Sequence, residues 1–391
     1  MPLPLNPAFA ATFPPPIPEA RRWLSEIPTP EGLALMNLSQ AAPVDPPPAA
    51  LRQAMAQAIE HDPSVHLYGP VLGNPALRER LAARTQSLYR GTIRADQIAL
   101  TSGCNQAFCA TIATLAGPGD QVIVPTPWYF NHAMWLSMSG IKAVPLPTDA
   151  TLMPDVDACA KLITPRTKAL VLVSPNNPGG VEYPPILLAS FAELAARNGL
   201  ALIVDETYRD FHTQDGPPHA LFANPDWDET FIHLYSFSKA YRLTGHRVGA
   251  IAASAARLAE VEKFLDTMTI CVSGPGQMAA LWGLENLADW LADERLEILR
   301  RREAMTAGLR NLPGWDLMGC GAYFAYVRHP FDMPAPQAAK HLLAKAGVLM
   351  LPGTMFRPVD DAQGTQEMRI AFANADVPQI DALMDRLRTP T

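Results

Sequence analysis

Lys239 is the residue of this sequence best placed for covalent chemistry, because it ends the apolar run FIHLYSFS at 231–238. A lysine in such a desolvated position has a lowered pKa, which makes its amine a usable nucleophile and base. Arg247 follows eight positions later and carries a guanidinium fork that suits phosphate oxygens. A single lysine or arginine is most often a solvated surface charge. Lys239 and Arg247 therefore indicate a functional site only together with the other polar clusters of the sequence.

Two of those clusters are turn-like segments that follow apolar runs. Gly103 lies in TSGCNQA at 101–107, where a tight turn can open a helix whose free N–H groups hold a phosphate. A capped helix start is the ordinary alternative there. Asn177 lies in SPNNPGG at 174–180, and a plain polar turn is the ordinary alternative for that segment.

A third cluster pairs two carboxylates with a phenol. Asp205, Glu206 and Tyr208 directly follow the apolar run LALIV. A buried charge must have a partner, so a cationic ligand atom or a base is expected near Asp205. The occurrence of all four clusters at the ends of successive apolar runs makes coincidence a poor explanation.

Short apolar runs separated by helical patterns must position these clusters. Near-continuous apolar strands between helices predict a mostly parallel sheet that is buried on both faces, and hence an α/β fold. A functional site is then expected at the carboxyl ends of the strands. The predicted strands lie at 97–102, 121–127, 142–147, 168–175, 200–206, 231–238 and 247–254, with helices at 51–60, 76–89, 105–116, 155–163, 184–197 and 254–269.

The pattern changes near residue 285 and divides the chain. Helical stretches at 287–312 and 336–346 flank strands at 321–327 and 367–373, which predicts a smaller α+β domain over 286–391. Residues 51–285 then form the large domain. Proline triplets at 14–16 and 46–48 predict that residues 1–50 are an extended arm that joins the small domain, with a disordered tail as the alternative for the first 20 residues.

Composition excludes several classes of function. The 391 residues carry a net charge of −7, which disfavours an electrostatic nucleic-acid binder, and no apolar run reaches the roughly 18 residues of a membrane span. The proline-broken N-terminus does not resemble a signal peptide. The five scattered cysteines indicate a reducing compartment, and hence the cytoplasm, rather than disulfides or a zinc site. His132, His212, His233 and His246 lack ligand spacing, so no metal is expected and they are interpreted as satisfied structural histidines.

The ordered strings SPNNPGG, VDETY and SFSKAYRLTGHRVG together resemble the class I/II aminotransferases, which are fold-type I pyridoxal-phosphate enzymes. The similarity extends from NLSQAAP at 37–43 to MRIAFA at 368–373. It implies a large domain with a mostly parallel central sheet, a smaller α+β domain and pyridoxal 5′-phosphate as cofactor. It also implies transfer of an amino group from an amino acid to a 2-oxo acid in a ping-pong cycle.

The resemblance assigns roles to the four clusters. Lys239 would form the Schiff base with the cofactor and shuttle the Cα proton. Asp205 would pair with the pyridine nitrogen and keep it protonated, while Tyr208 and Asn177 would bind the ring 3-oxygen. The implied phosphate ligands are Ser236, Arg247 and the backbone of Gly103, Cys104 and Asn105. Tyr129 matches the ring that stacks on the pyridine, with the adjacent Trp128 as the alternative.

Three more positions follow from the same resemblance. Arg369 matches the arginine that grips the substrate α-carboxylate, and its place inside an apolar run argues against a surface arginine. Tyr68 matches a tyrosine that reaches the phosphate of a neighbouring subunit, which implies a homodimer with shared sites; a core tyrosine is the alternative. Ala41 stands where the family usually has a glycine close to the substrate.

The donor is only partly indicated. Asn105 stands where some dicarboxylate-specific relatives place a lysine, and no second cation for a side-chain carboxylate is evident. Aromatic residues near 128–135 favour an apolar or aromatic donor, although they are as consistent with packing. Two other functions compete: a lyase or decarboxylase on the same scaffold, and a non-catalytic sensor, which is disfavoured because no basic DNA-binding segment is present.

Overall fold

The computed structural model describes residues 3–388. Residues 1–2 of the predicted arm and residues 389–391 of the predicted small domain lie outside the described residues. The domain boundaries at 50 and 285 remain predictions. No helix of the described part is both long and apolar enough to cross a membrane.

The strands are short, and most are buried along their whole length. They are β1 (Met36–Asn37), β2 (Ile98–Thr101), β3 (Gln121–Thr126), β4 (Lys142–Pro147), β5 (Thr167–Val173), β6 (Ala201–Asp205), β7 (Phe231–Ser236), β8 (Gly249–Ala252), β9 (Asp316–Gly321), β10 (Phe324–Arg328), β11 (Val348–Leu349), β12 (Leu351–Pro352) and β13 (Glu367–Ile370).

Helices alternate with the strands over most of the chain. They are α1 (Pro7–Ala11), α2 (Pro16–Glu26), α3 (Ala49–His61), α4 (Pro75–Tyr89), α5 (Cys104–Ala113), α6 (Phe130–Met138), α7 (Val156–Leu162), α8 (Pro185–Arg197), α9 (Phe237–Ala240), α10 (Ala255–Thr269), α11 (Gly274–Asn286), α12 (Ala288–Arg310), α13 (Ala335–Ala346) and α14 (Val377–Arg388).

A seven-stranded sheet forms the centre, in the order β2-β8-β7-β6-β5-β3-β4. Strands β7, β6, β5, β3 and β4 are parallel neighbours, whereas β8 runs antiparallel to β7 and β2. The predicted α/β class with a mostly parallel sheet is therefore confirmed. Every residue of β6 and β7 is buried, as expected for strands covered by helices on both faces.

The C-terminal part forms a second, antiparallel sheet in the order β12-β13-β10-β9. Residues 322–323 form the turn between β9 and β10, so the strand predicted to begin at 321 starts later. This sheet and helices α12, α13 and α14 enclose a hydrophobic cluster that is separate from those of the central sheet. The C-terminal part thus has a hydrophobic core of its own beside the core of the central sheet.

The N-terminal segment is not simply extended. Helix α2 begins at Pro16, because a proline at the first helical position has the right φ and lacks an N–H that would be unsatisfied there. Ala20 and Trp23 are buried in the C-terminal cluster, and β1 pairs in parallel with β11. The prediction of an extended arm is therefore wrong for 7–11 and 16–26, which are helical, although Ala20 and Trp23 do pack in the C-terminal core.

Candidate active site

The predicted site residues converge at one edge of the central sheet. Strands β2, β3, β5, β6 and β7 all end at this edge, and the antiparallel β8 begins there. The topology therefore brings together segments that lie up to 150 residues apart in the sequence. A cavity of about 280 Å³ lies at this edge. Its walls include Ala41, Cys104, Asn105, Tyr129, Asn177, Asp205, Tyr208, Ser236, Lys239, Arg247 and Arg369.

Lys239 lies in the short helix α9 that follows β7, and its amine faces this cavity. Its Nζ donates to the backbone oxygen of Ala41 at 2.6 Å. Burial lowers the pKa of Lys239 to about 7, and the positive charges of Arg247 and Arg369 act in the same direction. Near neutral pH a large fraction of the amine is therefore unprotonated and able to attack a carbonyl carbon.

Asp205 ends β6 and is buried, yet it keeps its charge. Its Oδ1 accepts from the backbone N–H of Thr207 at 2.9 Å, and its Oδ2 lies 3.4 Å from Nε2 of His132. Burial raises the pKa of Asp205, but the contacts with His132 and Thr207 outweigh that effect and leave the pKa below its ordinary value. The cavity thus holds an ionised carboxylate that can pair with a cationic ring nitrogen.

An anion cradle lies at the start of α5. Gly103 precedes that helix with φ +84°, and no side chain of the described residues caps its first turn. A Cβ at Gly103 would lie 2.2 Å from Nη2 of Arg247, and one at Gly249 would lie 2.6 Å from the backbone carbon of Gly103. The hydroxyl of Ser236 and the guanidinium of Arg247 line the same cavity. Free N–H groups, a helix N-terminus and an arginine fork together suit a phosphate.

Arg369 is 2% exposed, so the alternative of a surface arginine is wrong. Its Nη1 donates to Oδ1 of Asn177 at 2.9 Å and its Nη2 donates to the backbone oxygen of Ser39, whereas its Nε has no partner among the described residues. Burial lowers the pKa of Arg369 to about 10, which still leaves it charged at neutral pH. Its guanidinium is therefore a charged donor available to a carboxylate in the cavity.

Two phenols flank the carboxylate end of the cavity. The Tyr129 hydroxyl donates to Oδ1 of Asn105 at 3.2 Å and accepts from Asn131 at 2.8 Å, whereas the neighbouring Trp128 packs in the hydrophobic core and does not line the cavity. The position of Tyr129 therefore favours it over Trp128 as the stacking ring. Tyr208 is buried, and burial raises its pKa well above the ordinary value, so its hydroxyl stays a donor.

Tyr68 lies apart from these residues. It follows a short 3-10 turn at Pro63–His66 and is 80% exposed, so the alternative of a core tyrosine is wrong. It does not line the cavity of its own chain. Its exposure is compatible with contact to a second subunit.

Several cavity residues were not predicted from the sequence. Helix α2 contributes Ile17 to the walls. Other lining residues that were not predicted are Gln40, Ala42, Phe130, Asn131, Val173, Thr207, Ser238 and Thr244. The helix of residues 16–26 was itself not expected, which explains why Ile17 was missed. Ser238 and Thr207 directly adjoin predicted residues, so a signal for them existed in the same motifs.

The histidines correct a second expectation. His132 contacts Asp205, His212 lies 3.3 Å from Glu182, and His233 lies 2.9 Å from Glu206. His132 and His212 each have one buried ring nitrogen without a hydrogen-bond partner among the described residues, so the interpretation as fully satisfied histidines is wrong for these two, whereas Nε2 of His233 contacts Glu206. No group of three or more metal-binding side chains is found among residues 3–388. His132 supplies the base that the sequence required near Asp205.

Comparison with known proteins adds the chemical context. The family model described as "Aminotransferase class I and II" matches residues 34–387. The aromatic aminotransferase of Arabidopsis thaliana is 29% identical over 366 residues, which cover 90% of this chain and 89% of that protein. The arginine–pyruvate transaminase of Pseudomonas aeruginosa is 31% identical over 332 residues, with 84% of each chain covered. A mutant aspartate aminotransferase of Thermus thermophilus has a similar structure, with a TM-score of 0.88 at 25% identity and all of both chains covered.

Proposed function

The chain belongs to the aminotransferases of class I and II, and on that premise we propose which residues carry its reaction and which amino donors it accepts. It is a pyridoxal-phosphate-dependent enzyme that moves an amino group from an amino acid to a 2-oxo acid. The convergence of Lys239, Asp205, Arg247 and Arg369 on one cavity carries the proposal. Because the named relatives are aminotransferases, the lyase and decarboxylase alternatives lose support.

The cavity residues fit the cofactor. When bound, pyridoxal phosphate supplies an aldehyde that joins amines covalently and a ring that accepts the electrons of a broken Cα–H bond. The proposed phosphate ligands are the backbone N–H groups of Cys104 and Asn105, together with Ser236 and Arg247. The N–H of Gly103, also predicted as a ligand, already donates to the backbone oxygen of Thr101 at 2.8 Å, so Gly103 shapes the turn instead. Support comes from the lack of room for a Cβ at Gly103 and from the uncapped first turn of α5.

The remaining groups act on the ring and on the substrate. Asp205 would keep the pyridine nitrogen protonated, Tyr129 would pack against the ring, and Tyr208 and Asn177 would donate to the ring oxygen. Arg369 binds the α-carboxylate, and Ala41 lies against the substrate. Lys239 would hold the cofactor through its Nζ. Once the donor amine has taken its place, the freed Nζ would accept the proton from Cα and donate it to the former aldehyde carbon of the cofactor.

The donor is proposed to have an uncharged side chain, either apolar or aromatic. The charged residues among the described walls of the cavity are Lys239, Arg247, Arg369 and Asp205, and each has a role in holding the cofactor or the α-carboxylate. The walls left for a side chain include Ile17 and Phe130. A side-chain carboxylate in that space would be buried without a cation, which costs several kcal/mol.

Donors with and without a charged side chain test this directly, and glutamine and glutamate form an isosteric pair. The holoenzyme is mixed with glutamine or glutamate, and with phenylalanine or aspartate, while the absorbance of the lysine–cofactor bond is followed. We expect glutamine to react at least about 10-fold more efficiently than glutamate, because about 1.4 kcal/mol of unpaired charge is enough for that ratio. Asn105→Lys should narrow the gap. A wild-type preference for glutamate or aspartate would contradict the proposed donor class.

The role of Lys239 has its own test. Lys239→Ala should remove both the covalent cofactor bond and turnover, whereas Lys263→Ala, at an exposed position of α10, should change neither. Normal turnover by Lys239→Ala would refute the assignment.

The active form is proposed to be a homodimer in the cytoplasm. The 80% exposure of Tyr68 and the 69% exposure of the adjacent Leu67 support a contact with a second copy. All five cysteines are free, which supports a reducing compartment. Sedimentation should give twice the monomer mass, and Tyr68→Phe should weaken cofactor binding without changing that mass. A monomeric, fully active enzyme would contradict the shared-site proposal.

A further inference from the structure

A second cavity, of about 520 Å³, is lined by residues of the central-sheet part and of the C-terminal part, and it has no role in the proposed reaction. Its walls come from the segments 180–185 and 212–218 on one side, and from Arg302 of α12 with Met318 and Cys320 of β9 on the other. Its volume lies within the range of about 300–1,000 Å³ that is typical of small-molecule sites. It is also larger than the 280 Å³ of the catalytic cavity.

Arg302 is a charged side chain of this cavity that has no ion-pair partner among the described residues. Its Nε donates to the backbone oxygen of Cys320 at 2.9 Å, and no carboxylate of the described residues lies within ion-pair distance of its guanidinium. The two remaining nitrogens of the fork are thus free to donate to a carboxylate.

Glu182 is the acidic side chain in the described walls, and its charge is already used. Its oxygens accept from the backbone N–H of Thr213 at 2.7 Å and from the Thr213 hydroxyl at 2.8 Å, and one of them lies 3.3 Å from Nδ1 of His212. Burial raises the pKa of Glu182, but the contacts with His212 and Thr213 outweigh it and leave the pKa below its ordinary value. Because the carboxylate of Glu182 is already bound by His212 and Thr213, it does not pair with Arg302. The guanidinium of Arg302 can therefore attract an anion.

The wall that carries His212 is held by hydrogen bonds and contains a buried polar atom without a hydrogen-bond partner among the described residues. His212 is 9% exposed, and its Nε2 has no hydrogen-bond partner among the described residues. Arg295 fixes this wall, because its Nε donates to the backbone oxygen of His212 at 2.7 Å and its Nη2 to that of Gln214 at 3.2 Å. A buried polar atom without a partner costs about 1–3 kcal/mol, which a ligand group or an ordered water would offset.

The rest of the lining is mainly apolar. It includes Met153, Val181, Pro184, Pro185, Pro217, Pro218 and Met318. An apolar chamber with one free guanidinium at its wall fits an amphipathic anion better than a sugar or a nucleotide. We propose that this cavity is a second binding site, separate from the catalytic one, for a small carboxylate with an apolar or aromatic body, held by Arg302 and the wall of His212.

The catalytic cavity also binds carboxylates, so the test must separate the two sites. The probe is 4-fluorophenylacetate, added to holoenzyme and followed by ¹⁹F NMR, with 4-fluorophenylacetamide as its uncharged counterpart. Arg302→Gln removes the guanidinium of the second cavity, and Arg369→Gln removes the guanidinium proposed to bind the α-carboxylate in the catalytic cavity. Arg328→Gln, at an exposed ion pair with Asp316, is the matched control. Cofactor absorbance and thermal unfolding of every variant confirm that it is folded and loaded.

We expect 4-fluorophenylacetate to bind both Arg369→Gln and Arg328→Gln, and 4-fluorophenylacetamide to bind neither. The double variant Arg302→Gln, Arg369→Gln should bind the acid at least about 10-fold more weakly than Arg369→Gln does. Val181→Phe, which fills the cavity without altering a charge, should weaken binding in the Arg369→Gln background as well. Loss of all binding in Arg369→Gln alone would place the probe only in the catalytic cavity and overturn the proposal. Binding that is unaffected by Arg302→Gln in that background would also overturn it. Neither result depends on the roles proposed for Lys239 or Asp205.

Discussion

The lowered pKa of Lys239 predicts how fast the apoprotein captures its cofactor at each pH. The ordinary lysine value of 10.5 falls to about 7 through burial and through the charges of Arg247 and Arg369. At pH 8 about 90% of an amine with a pKa of 7 is neutral, against about 0.3% of one with a pKa of 10.5. Because only the neutral amine attacks an aldehyde, the capture rate should rise through pH 7 and level off above about pH 8.

The assay is rapid mixing of apoprotein with pyridoxal phosphate over about pH 6–10, read from the absorbance of the lysine–cofactor bond. Arg369→Gln removes one of the two cations that lower the pKa of Lys239, so its midpoint should move to higher pH. This variant suits the test because Arg369 is not among the proposed phosphate ligands. Arg328→Gln, at an exposed position, should keep the wild-type midpoint.

Two results would refute this reasoning. One is a capture rate in the wild type that keeps rising to pH 10, since the amine would then titrate as an ordinary surface lysine. The other is an identical midpoint in wild type and Arg369→Gln, since the cation 130 positions along the chain would then have no influence on the amine. Lys239→Ala, which should show no capture signal at all, establishes the baseline.

Further variants probe neighbouring features. Asp205→Asn should lower the rate of Cα proton transfer about 10- to 1,000-fold, because an adjacent carboxylate raises the pKa of the pyridine nitrogen by about 1–3 units. Single-turnover kinetics at full cofactor occupancy would measure this rate, and a rate within twofold of wild type would contradict the role of Asp205. Glu206→Ala should lower the free energy of unfolding by about 3–5 kcal/mol, as the loss of one partner from a buried charge network does, and urea denaturation would measure it. Gly103→Ala should weaken cofactor binding at least about 10-fold, because φ +84° is strained for alanine and its Cβ would displace Arg247; unchanged affinity in a spectroscopic titration would contradict that reason.

The strands and helices of the central sheet could be predicted from the sequence because their patterns are local. Continuous apolar runs predicted buried parallel strands, and the predicted strand at 142–147 coincides with β4. The strand order could not be read from these runs, since the parallel neighbours β3 and β5 are separated in the chain by β4 and by the helices α6 and α7. What could be predicted was that polar segments following such strands would meet at one edge.

The errors arise where long-range packing decides the structure. The proline triplet at 14–16 predicted extended backbone, yet helix α2 begins at Pro16. Trp23 of this helix is buried against C-terminal residues that lie about 300 positions away in the sequence. The same holds for His132. Nothing in its local sequence shows that α6 places its ring beside the end of β6, although the need of a buried Asp205 for a partner was evident.

The adjacent carboxylates Asp205 and Glu206 show how the sheet separates chemistry from stability. Successive residues at a strand end point to opposite sides. Asp205 accordingly lines the catalytic cavity, whereas Glu206 is fully buried. The Glu206 carboxylate accepts a hydrogen bond from the hydroxyl of Tyr89, and its Oε2 lies 3.2 Å from Nε2 of His219 and 2.9 Å from Nε2 of His233. Burial raises the pKa of Glu206, but the two histidines outweigh that effect and lower it well below the ordinary value. Buried side chains of the core thus stabilise the charge of Glu206. Loss of Asp205 should therefore slow the reaction with little change in unfolding, and loss of Glu206 should do the reverse, a contrast that a purely structural role for both residues would not produce.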